Sequence, residues 1–211
     1  ETAGRLLNDD SNSSTLEAIT ELVEQSLLRR VPDTAPPRFL MLETVREFAL
    51  EQLEVAGENE LAYQRHAAWF TTLATTLSGA LFMPSEEPAI KALEAEFPNV
   101  RQAMDTLFAS PHTLVHAAEL ANAYGYHSSL RSLYRITLPW YERLLDQRAA
   151  LPPRTVVALL IAASAAYNPR GNPLGEDLAR EAYGLMQSLH GTPLFDDWEM
   201  ARVCLYLGDC I

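Results

Sequence analysis

The alternation of apolar and polar residues over the first 56 positions predicts a helix, a β-hairpin and a second helix. The first helix follows a capping-box pattern over residues 14–17 and has apolar residues three or four positions apart: Leu16, Ile19, Val23 and Leu27. Two short apolar runs, residues 26–31 and 38–42, flank a segment with three prolines that cannot be helical. We interpret the two runs as strands joined by a proline-rich loop.

A second capping-box pattern, residues 44–47, predicts the start of the next helix, and Gly57 predicts its end. The predicted apolar face of this helix comprises Val45, Phe48, Ala49, the stem of Gln52 and Leu53. A helix, a hairpin and a helix in this order are typical of the end of a winged-helix domain. We therefore assign residues 1–56 to a winged-helix remnant.

After Glu60 the sequence contains only helical patterns. The segment Leu61–Ser78 has one apolar side and is predicted to be a helix. Residues 79–88 are predicted to interrupt the helical pattern. A longer stripe with near-heptad spacing follows, formed by Ile90, Leu93, Phe97, Val100, Met104 and Leu107. Pro98 falls inside this stripe and predicts a kink or a restart of the helix. We assign residues 57–110 to a linking helical segment.

The last hundred residues form a repeat, in which Ala118–Tyr124 aligns with Ile161–Tyr167. Each of these small-residue helices is followed by a bulkier one, first Ile136–Leu145 and then Leu178–Leu189. Such alternation at a period of about 40 residues is typical of antiparallel helix pairs stacked into a solenoid. We assign residues 111–211 to tetratricopeptide-like helical repeats. The predicted fold class is mainly α: a winged-helix remnant with one β-hairpin followed by an α-helical tetratricopeptide-like solenoid.

Both ends of the chain lead us to expect a piece of a longer protein. It begins with Glu1 and has no basic and then apolar leader, so we expect no signal peptide. The unpaired cysteines Cys204 and Cys210 favour a reducing, cytoplasmic location. Another repeat shift places Ala158 on Ala201 and returns a small-residue helix near residues 205–208, so the chain is expected to stop within a repeat. An apolar helix face left open there would favour self-association. Longer loops are expected over residues 167–173 and 191–197.

The composition is that of an ordinary globular protein, because 48% of the 211 residues are hydrophobic and 21% are charged. No apolar run reaches the roughly 18 residues that span a bilayer, so we expect no membrane contact. Cys204 and Cys210 would point to different faces of a helix, which predicts neither a disulfide nor a metal pair.

The net charge of −12 argues against nucleic acid as a partner, because DNA binding requires neutralisation of phosphates. Lys91 is the only lysine, and Arg29-Arg30 is the only adjacent pair of arginines. The helix before the hairpin, which enters the major groove in DNA-binding winged helices, has no basic residue and three acidic ones: Glu17, Glu21 and Glu24. We expect no direct nucleic-acid contact from this chain.

Residues 22–30 (LVEQSLLRR) and 38–49 (RFLMLETVREFA) resemble a block found in bacterial signal-transducing (STAND) NTPase transcriptional regulators. The block is similar to the winged-helix part of their NB-ARC-containing, LuxR-type and SARP-like members. Residues 65–70 (RHAAWF) and 93–101 (LEAEFPNVR) also resemble segments that follow the block in that family. The matched pieces cover roughly the first half of the chain and occur in the family's order.

The resemblance implies a molecular switch in signal transduction. A nucleotide-binding domain outside this chain would bind ATP or ADP, and the winged helix would pack on it as a lid of the closed state. The helical repeats would bind an effector or a partner protein and shift the equilibrium between closed and open states. A DNA-binding domain, where the parent has one, would also lie outside the chain.

Two departures from the family concern the nucleotide. No Gly-x-x-x-x-Gly-Lys-Ser/Thr loop occurs, so the chain cannot cradle phosphates, and we expect no cofactor in it. In many relatives the histidine of a Met-His-Asp motif touches the nucleotide, whereas the corresponding tripeptide here is Met41-Leu42-Glu43. Leu42 cannot donate a hydrogen bond from its side chain. Glu43 is expected to be a structural residue ahead of the helix cap.

Candidate catalytic and metal-binding chemistry is sparse. His112 and His116 are four positions apart on a predicted helix, with Glu119 three further on, a spacing that can bind zinc. Thr113, however, stands where a zinc protease has its catalytic glutamate. No Gly-x-Ser-x-Gly nucleophile motif occurs, and acidic pairs such as Glu94-x-Glu96 are interpreted as solvated faces and caps. We predict no catalytic residue and no metal site.

An aromatic and basic cluster in residues 124–140 is the candidate interaction site, with seven members: Tyr124, Tyr126, His127, Arg131, Tyr134, Arg135 and Trp140. Arg131 and Arg135, four positions apart, would project from one helix face and suit a peptide, a carboxylate or a phosphate-bearing effector. The alternative is that Tyr124 and Trp140 are core and the arginines only solubilise the surface. The predicted effector- or partner-binding residues are Tyr124, Tyr126, Arg131, Arg135 and Trp140.

Three functional hypotheses remain. The first is a non-catalytic regulatory and interaction module of a signal-responsive NTPase transcriptional regulator. The second is a free-standing tetratricopeptide-like scaffold that binds peptides. The third, an acid–base or metal enzyme, requires catalytic groups that the sequence does not show. The residues before Glu1 in the gene separate the first two, since only the first requires a phosphate-binding loop there.

Overall fold

The computed structural model describes residues 12–34, 37–81, 84, 86–131, 133–167 and 172–189. It consists of two compact units, Glu1–Trp69 and Phe70–Ile211, and the boundary falls inside the predicted linking segment 57–110. Within the described ranges, none of the helices has both the length and the apolar character needed to cross a membrane. The predictions for residues outside the described ranges concern Cys204, Cys210, Ala201 and the loop 191–197.

The elements of the first unit are α1 (Asn12–Glu24), β1 (Leu28–Arg30), β2 (Phe39–Met41) and α2 (Glu43–Ala56). Helix α3 (Asn59–Ser78) contains the boundary between the units. The second unit continues with α4 (Glu86–Ala95), α5 (Phe97–Phe108), α6 (Leu114–Leu130), α7 (Tyr134–Asp146), α8 (Pro153–Tyr167) and α9 (Pro173–Leu189). Short 3₁₀ turns, Pro111–Thr113 and Arg148–Ala150, precede α6 and α8.

The fold class predicted from the sequence is confirmed. The structure is mainly α, with one antiparallel hairpin near the N-terminus and helices that pack in chain order. After Gly57 no strand occurs in the described residues. Pro98 restarts the helix as expected, because α4 ends at Ala95 and α5 begins at Phe97 with the proline in its first turn. The predicted break over residues 79–88 is shorter, since Pro88 already belongs to α4.

The hairpin pairs Leu28 with Met41 and Arg30 with Phe39. Its loop is closed by Thr34, whose hydroxyl donates to the carbonyl oxygen of Val31 at 3.1 Å and accepts the backbone N–H of Arg38 at 3.2 Å. One side chain therefore satisfies backbone groups that the proline-rich loop leaves without ladder partners. The expected pair of strands is present, although each strand is only three residues long.

Helices α1 and α2 end in the same way. Ser26 (φ 62°) and Gly57 (φ 72°) adopt the left-handed conformation, and the next amide reaches back five residues, as in the bond from Leu27 N–H to Leu22 O. Gly57 is confirmed as the residue that terminates its helix. Ser26 was expected to start the first strand, but it closes α1 instead, so the strand begins at Leu28.

Both predicted capping boxes are wrong. Helix α1 already includes residues before Ser14, and α2 begins before Thr44, with Leu42 at the N-cap and no side-chain bond to the helix. Glu43 lies in the first turn of α2 and accepts a bond from Arg46 Nε at 3.2 Å. This bond lowers the pKa of the Glu43 carboxyl. A carboxylate at this end of a helix is also favoured by the helix dipole.

The core of the second unit centres on α6 and α8, which lie against each other. Helix α6 also packs on α4, α5 and α7, and α8 also packs on α7 and α9. The buried residues of α6 and α8 are mostly small or aliphatic: Ala117, Ala118, Leu120, Ala121, Val157, Leu159, Leu160, Ala163 and Ala166. The predicted repeat places Tyr124 and Tyr167 in register, and both are buried; Tyr124 lies in the middle of α6 and Tyr167 at the end of α8.

Candidate functional site

The predicted binding residues lie around the turn between α6 and α7. Tyr124 and Trp140 are buried, whereas Arg131 and Arg135 are exposed. Tyr126 belongs to α6, but its side chain lies outside the described part of the structure. The cluster is therefore divided into a buried aromatic part and an exposed basic part.

The expectation that Arg131 and Arg135 share one helix face is wrong. Helix α6 ends at Leu130 and α7 begins at Tyr134, so the two arginines lie on opposite sides of a turn. Spacing by four positions implies a shared face only within a continuous helix. We call His127, Arg131, Arg135 and Glu94 the residues of the α6–α7 turn site.

Tyr124 connects the middle of α6 to α4. Its hydroxyl donates to the carbonyl oxygen of Leu93, which lies in the last turn of α4, where carbonyls lack helical partners. Its ring centroid is 5.7 Å from that of Phe97 at the start of α5. Burial raises the pKa of the Tyr124 hydroxyl, and Glu94 and Glu96 raise it further. The neutral hydroxyl is therefore a permanent hydrogen-bond donor.

Arg131 forms an ion pair with Glu94 of α4, with 2.6 Å between Nε and Oε1. The two side chains are 46% and 41% exposed, so solvent reaches the pair. The sequence interpretation of Glu94 as a merely solvated carboxylate is wrong on this point. The partners are 37 positions apart (131 − 94), so no local pattern indicates their contact.

His127 is the buried polar member of the α6–α7 turn site. Its ring meets that of Tyr124 edge-on, with 4.8 Å between the centroids. The side chain is fully buried, and neither ring nitrogen has a hydrogen-bond partner in the structure. Burial lowers the pKa of the imidazole; Glu94 acts to raise it, and Arg131 acts to lower it.

Two hydroxyl groups on α6 and α7 form hydrogen bonds beside the site. Tyr141 of α7 donates from its hydroxyl to the carbonyl oxygen of Ala121 in α6 at 3.1 Å. Ser128 donates to the carbonyl oxygen of Gly125 at 2.8 Å. These bonds satisfy two hydroxyl groups of the site, whereas the nitrogens of His127 and the Oδ1 of Asn122 in the same helix have no partner in the structure.

The histidine pair considered for zinc occupies two different elements. His112 lies in the 3₁₀ turn and His116 in α6, and both are exposed. The backbone N–H of His112 is capped by Ser110 Oγ at 3.3 Å. In the part of the chain that the structure describes, no group of three or more His, Cys, Asp or Glu side chains is arranged to hold a metal ion.

The first unit leaves large apolar side chains in solvent. Helix α2 has no buried residue, and the exposed apolar residues of its surface and of the hairpin are Phe39, Leu40, Leu42, Phe48 and Val55. We call these residues the hairpin–α2 surface. Helix α1 exposes the carboxylates of Glu17, Glu21 and Glu24 as well as the apolar side chain of Leu16. The first unit therefore exposes apolar side chains on α1, the hairpin and α2.

The chain is similar to a region of large proteins provisionally named HTH-type transcriptional regulators. The similarity is 32% identity over 136 residues to one such protein of Mycobacterium bovis and to those of two strains of Mycobacterium tuberculosis. The matched part covers 64% of this chain and 15% of the length of each relative. No protein-family model and no solved structure matches the chain.

Proposed function

We propose that this chain is a non-catalytic regulatory and interaction module of a signal-responsive NTPase transcriptional regulator. The first unit docks on a nucleotide-binding domain elsewhere in the polypeptide. The second unit, built from tetratricopeptide-like helix pairs, binds an effector or a partner protein at the α6–α7 turn site. The observation that carries the proposal is the similarity to a segment that makes up 15% of large transcriptional regulators.

The hairpin–α2 surface supports docking of the first unit. Phe48 and Leu42 are each 61% exposed and Val55 is 83% exposed. Apolar area in water costs about 25 cal/mol per Å², so these exposed side chains favour coverage by another domain. Leu42 lies where many members of the NTPase family that the sequence resembles have a nucleotide-contacting histidine. Its side chain suits an apolar contact between domains rather than a hydrogen bond.

The α6–α7 turn site supports the proposed role of the second unit in binding an effector or a partner protein. Arg131 and Arg135 carry exposed guanidinium groups on both sides of a short turn. The pair of Arg131 with Glu94 is partly exposed, and exposed pairs contribute only about 0.2–1 kcal/mol, so a ligand can replace Glu94 at small cost. Planar guanidinium groups bind carboxylates and phosphates through two parallel bonds.

Hydroxyl-radical footprinting of the complete gene product tests the docking. We expect Phe48 and Leu42 to be labelled less in the complete product with ADP than in this chain alone, and more with ATP than with ADP. The nucleotide dependence follows from docking that is tighter in the closed state. Equal labelling of these residues in all three samples would contradict the proposal and favour a free-standing scaffold.

A pair of substitutions on α2 provides the matched control. Phe48→Ser removes an exposed apolar side chain, whereas Glu51→Ser removes an exposed charged one from the same helix. We expect only the first substitution to weaken ADP retention by the complete product. If both variants retain ADP equally well, the apolar side chain does not contribute to docking.

A further inference from the structure

The hairpin of the first unit is basic, and helix α2, which follows it directly, is acidic. Residues 28–41 contain three arginines and one acidic residue, Asp33. Helix α2 contains four glutamates and one arginine, Arg46. Leu42 is the only residue between β2 and α2. The hairpin and α2 therefore form one continuous segment with a positive end and a negative end.

Each face of the hairpin exposes an arginine beside an apolar side chain. Neighbouring residues of a strand point to opposite faces of a sheet, and directly paired residues of two strands share a face. The register pairs Arg29 with Leu40 and Arg30 with Phe39. Leu40 is 53% exposed, Phe39 is 38% exposed, and both arginines are exposed. Whichever face meets a partner therefore offers a cation and an apolar side chain.

The charges of this segment are mostly not neutralised within the chain. Among the described residues, neither Arg29 nor Arg30 has an ion-pair partner. In α2 the pair of Glu43 with Arg46 occupies the first turn. The other glutamates of the helix are exposed and have no ion-pair partner in the described ranges: Glu47, Glu51 and Glu54. Unmatched charges of both signs therefore remain, the positive ones on the hairpin and the negative ones on α2.

Helix α2 also exposes apolar side chains beside its carboxylates. Phe48 is 61% exposed and Val55 is 83% exposed, and because they are seven positions apart they lie on one face of the helix. Glu47 and Glu54 form a second row, one position before the first. Like the hairpin, α2 thus combines apolar and charged side chains, but its charges have the opposite sign.

We propose that two copies of this chain pair through the hairpin–α2 surface, with the hairpin of each copy against α2 of the other. A segment that is positive at one end and negative at the other is complementary to itself after a two-fold rotation, which is the commonest symmetry of homo-oligomers. The arginines of β1 then meet Glu47 and Glu54 of the partner copy, and apolar side chains meet apolar ones. Phe39 and Leu40 also belong to the surface proposed to dock on the nucleotide-binding domain, so a docked chain is not free to pair. The pairing goes beyond that docking and does not depend on it.

The net charge of −12 repels two copies at a distance, whereas the contact itself joins charges of opposite sign. At about 0.15 M salt the Debye length is about 8 Å, so charges remote from the contact are largely screened. Exposed ion pairs are individually weak, so the pair should form and dissociate reversibly as the concentration changes.

Sedimentation equilibrium over a concentration series at about 0.15 M salt tests the pairing. We expect the chain to change from monomer to dimer as its concentration rises. The double variant Arg29→Glu, Arg30→Glu should raise the dissociation constant about tenfold or more, because like charges then meet at two places in the pair. The double variant Glu47→Arg, Glu54→Arg should do the same. All four side chains are exposed, so both variants should fold like the parent chain.

A mixture of the two double variants gives the sharpest measurement. The acidic hairpin of one variant faces the basic α2 of the other, and the basic hairpin faces the acidic α2. An equimolar mixture should therefore form a heterodimer about as tightly as the parent chain forms its dimer. The matched control is Arg101→Glu with Arg135→Glu, two exposed arginines of the second unit. It changes the net charge by the same amount as the hairpin variant and should leave the dissociation constant unchanged.

Three results would overturn the pairing. A chain that stays monomeric at every concentration does not pair, and binding of a polyglutamate peptide to the hairpin of that monomer would identify a different acidic partner. A dimer that neither double variant weakens has its contact on another surface. Variants whose mixture does not restore the dimer contradict the contact of the hairpin with α2. These measurements use this chain alone, so their failure is distinct from failure of Phe48 docking in the complete product.

Discussion

Gly125 of α6 lies so close to Ala162 of α8 that a methyl group placed on it would be 2.9 Å from Ala162 Cβ. The same methyl group would lie 3.2 Å from the hydroxyl oxygen of Tyr141, which is bonded to α6. Neither neighbour is the free end of a flexible chain. The two central helices of the second unit therefore meet at a position where only glycine fits.

Overpacking usually costs about 1–3 kcal/mol, and alanine in a helix interior returns roughly 1 kcal/mol. We therefore expect Gly125→Ala to lower the free energy of unfolding by up to about 2 kcal/mol. Urea unfolding measures the net change in the free energy of unfolding. Gly184→Ala in α9 is the control, because no atom lies within 4 Å of the added methyl group, and it should stabilise by about 0.5–1 kcal/mol. Equal stabilisation of the two variants would refute the close approach.

Tyr124→Phe removes the hydroxyl that donates to the carbonyl oxygen of Leu93 and keeps the ring. The carbonyl loses its partner at the end of α4, so the free energy of unfolding should fall by about 0.5–1.5 kcal/mol. Tyr183→Phe, at a position 41% exposed in α9, should change it little. Comparable losses in the two variants would contradict the role of the Tyr124 bond.

The sequence predicts the elements better than their ends. Apolar stripes repeat along the chain, so the helices and the restart at Pro98 follow from local pattern. The patterns at Ser14 and Thr44 resemble caps but lie inside helices, because a serine or threonine three positions before a glutamate is also compatible with a helical turn. Only the backbone distinguishes the two cases.

The α6–α7 turn site is predicted in part. The aromatic and basic composition of residues 124–140 indicates its place in the chain. The partner Glu94 comes from a helix that precedes it by two elements, and its contact depends on how α4 and α6 pack. The lack of hydrogen-bond partners for His127 likewise depends on how the helices pack. Neither the Glu94 contact nor the missing partners of His127 can be predicted from the sequence pattern.

The stability of the chain should depend on pH through His127. Burial lowers the pKa of this imidazole in the folded state, so the unfolded chain binds the proton more readily. The contribution of His127 to stability is therefore complete above about pH 6.5, the unfolded value, and is lost as pH falls through the lower folded value. As the pH falls through this window, the urea midpoint of the chain should decrease, and the decrease should be smaller in His127→Gln. If the urea midpoint of the variant depends on pH as strongly as that of the parent chain, His127 is not the source of the dependence.

Arg143 of α7 contacts Phe108 at the end of α5. Its guanidinium carbon lies 4.4 Å from the centre of the Phe108 ring, and its NH2 group donates to the Phe108 carbonyl oxygen at 2.6 Å. We expect Arg143→Ala to lower the free energy of unfolding by about 0.5–1 kcal/mol, the scale of exposed cation–π contacts. Arg101→Ala, an exposed arginine on α5, should have a smaller effect in the same urea experiment. A reversed order would contradict this contact.

Packing in chain order has a kinetic consequence. From α4 to α9 each helix finds its partners one or two elements away, so folding closes only short loops. The entropy lost in closing such loops is small, and proteins dominated by local contacts cross their folding barrier in microseconds to milliseconds. After dilution from denaturant, the second unit should therefore refold within the dead time of most manual mixing experiments.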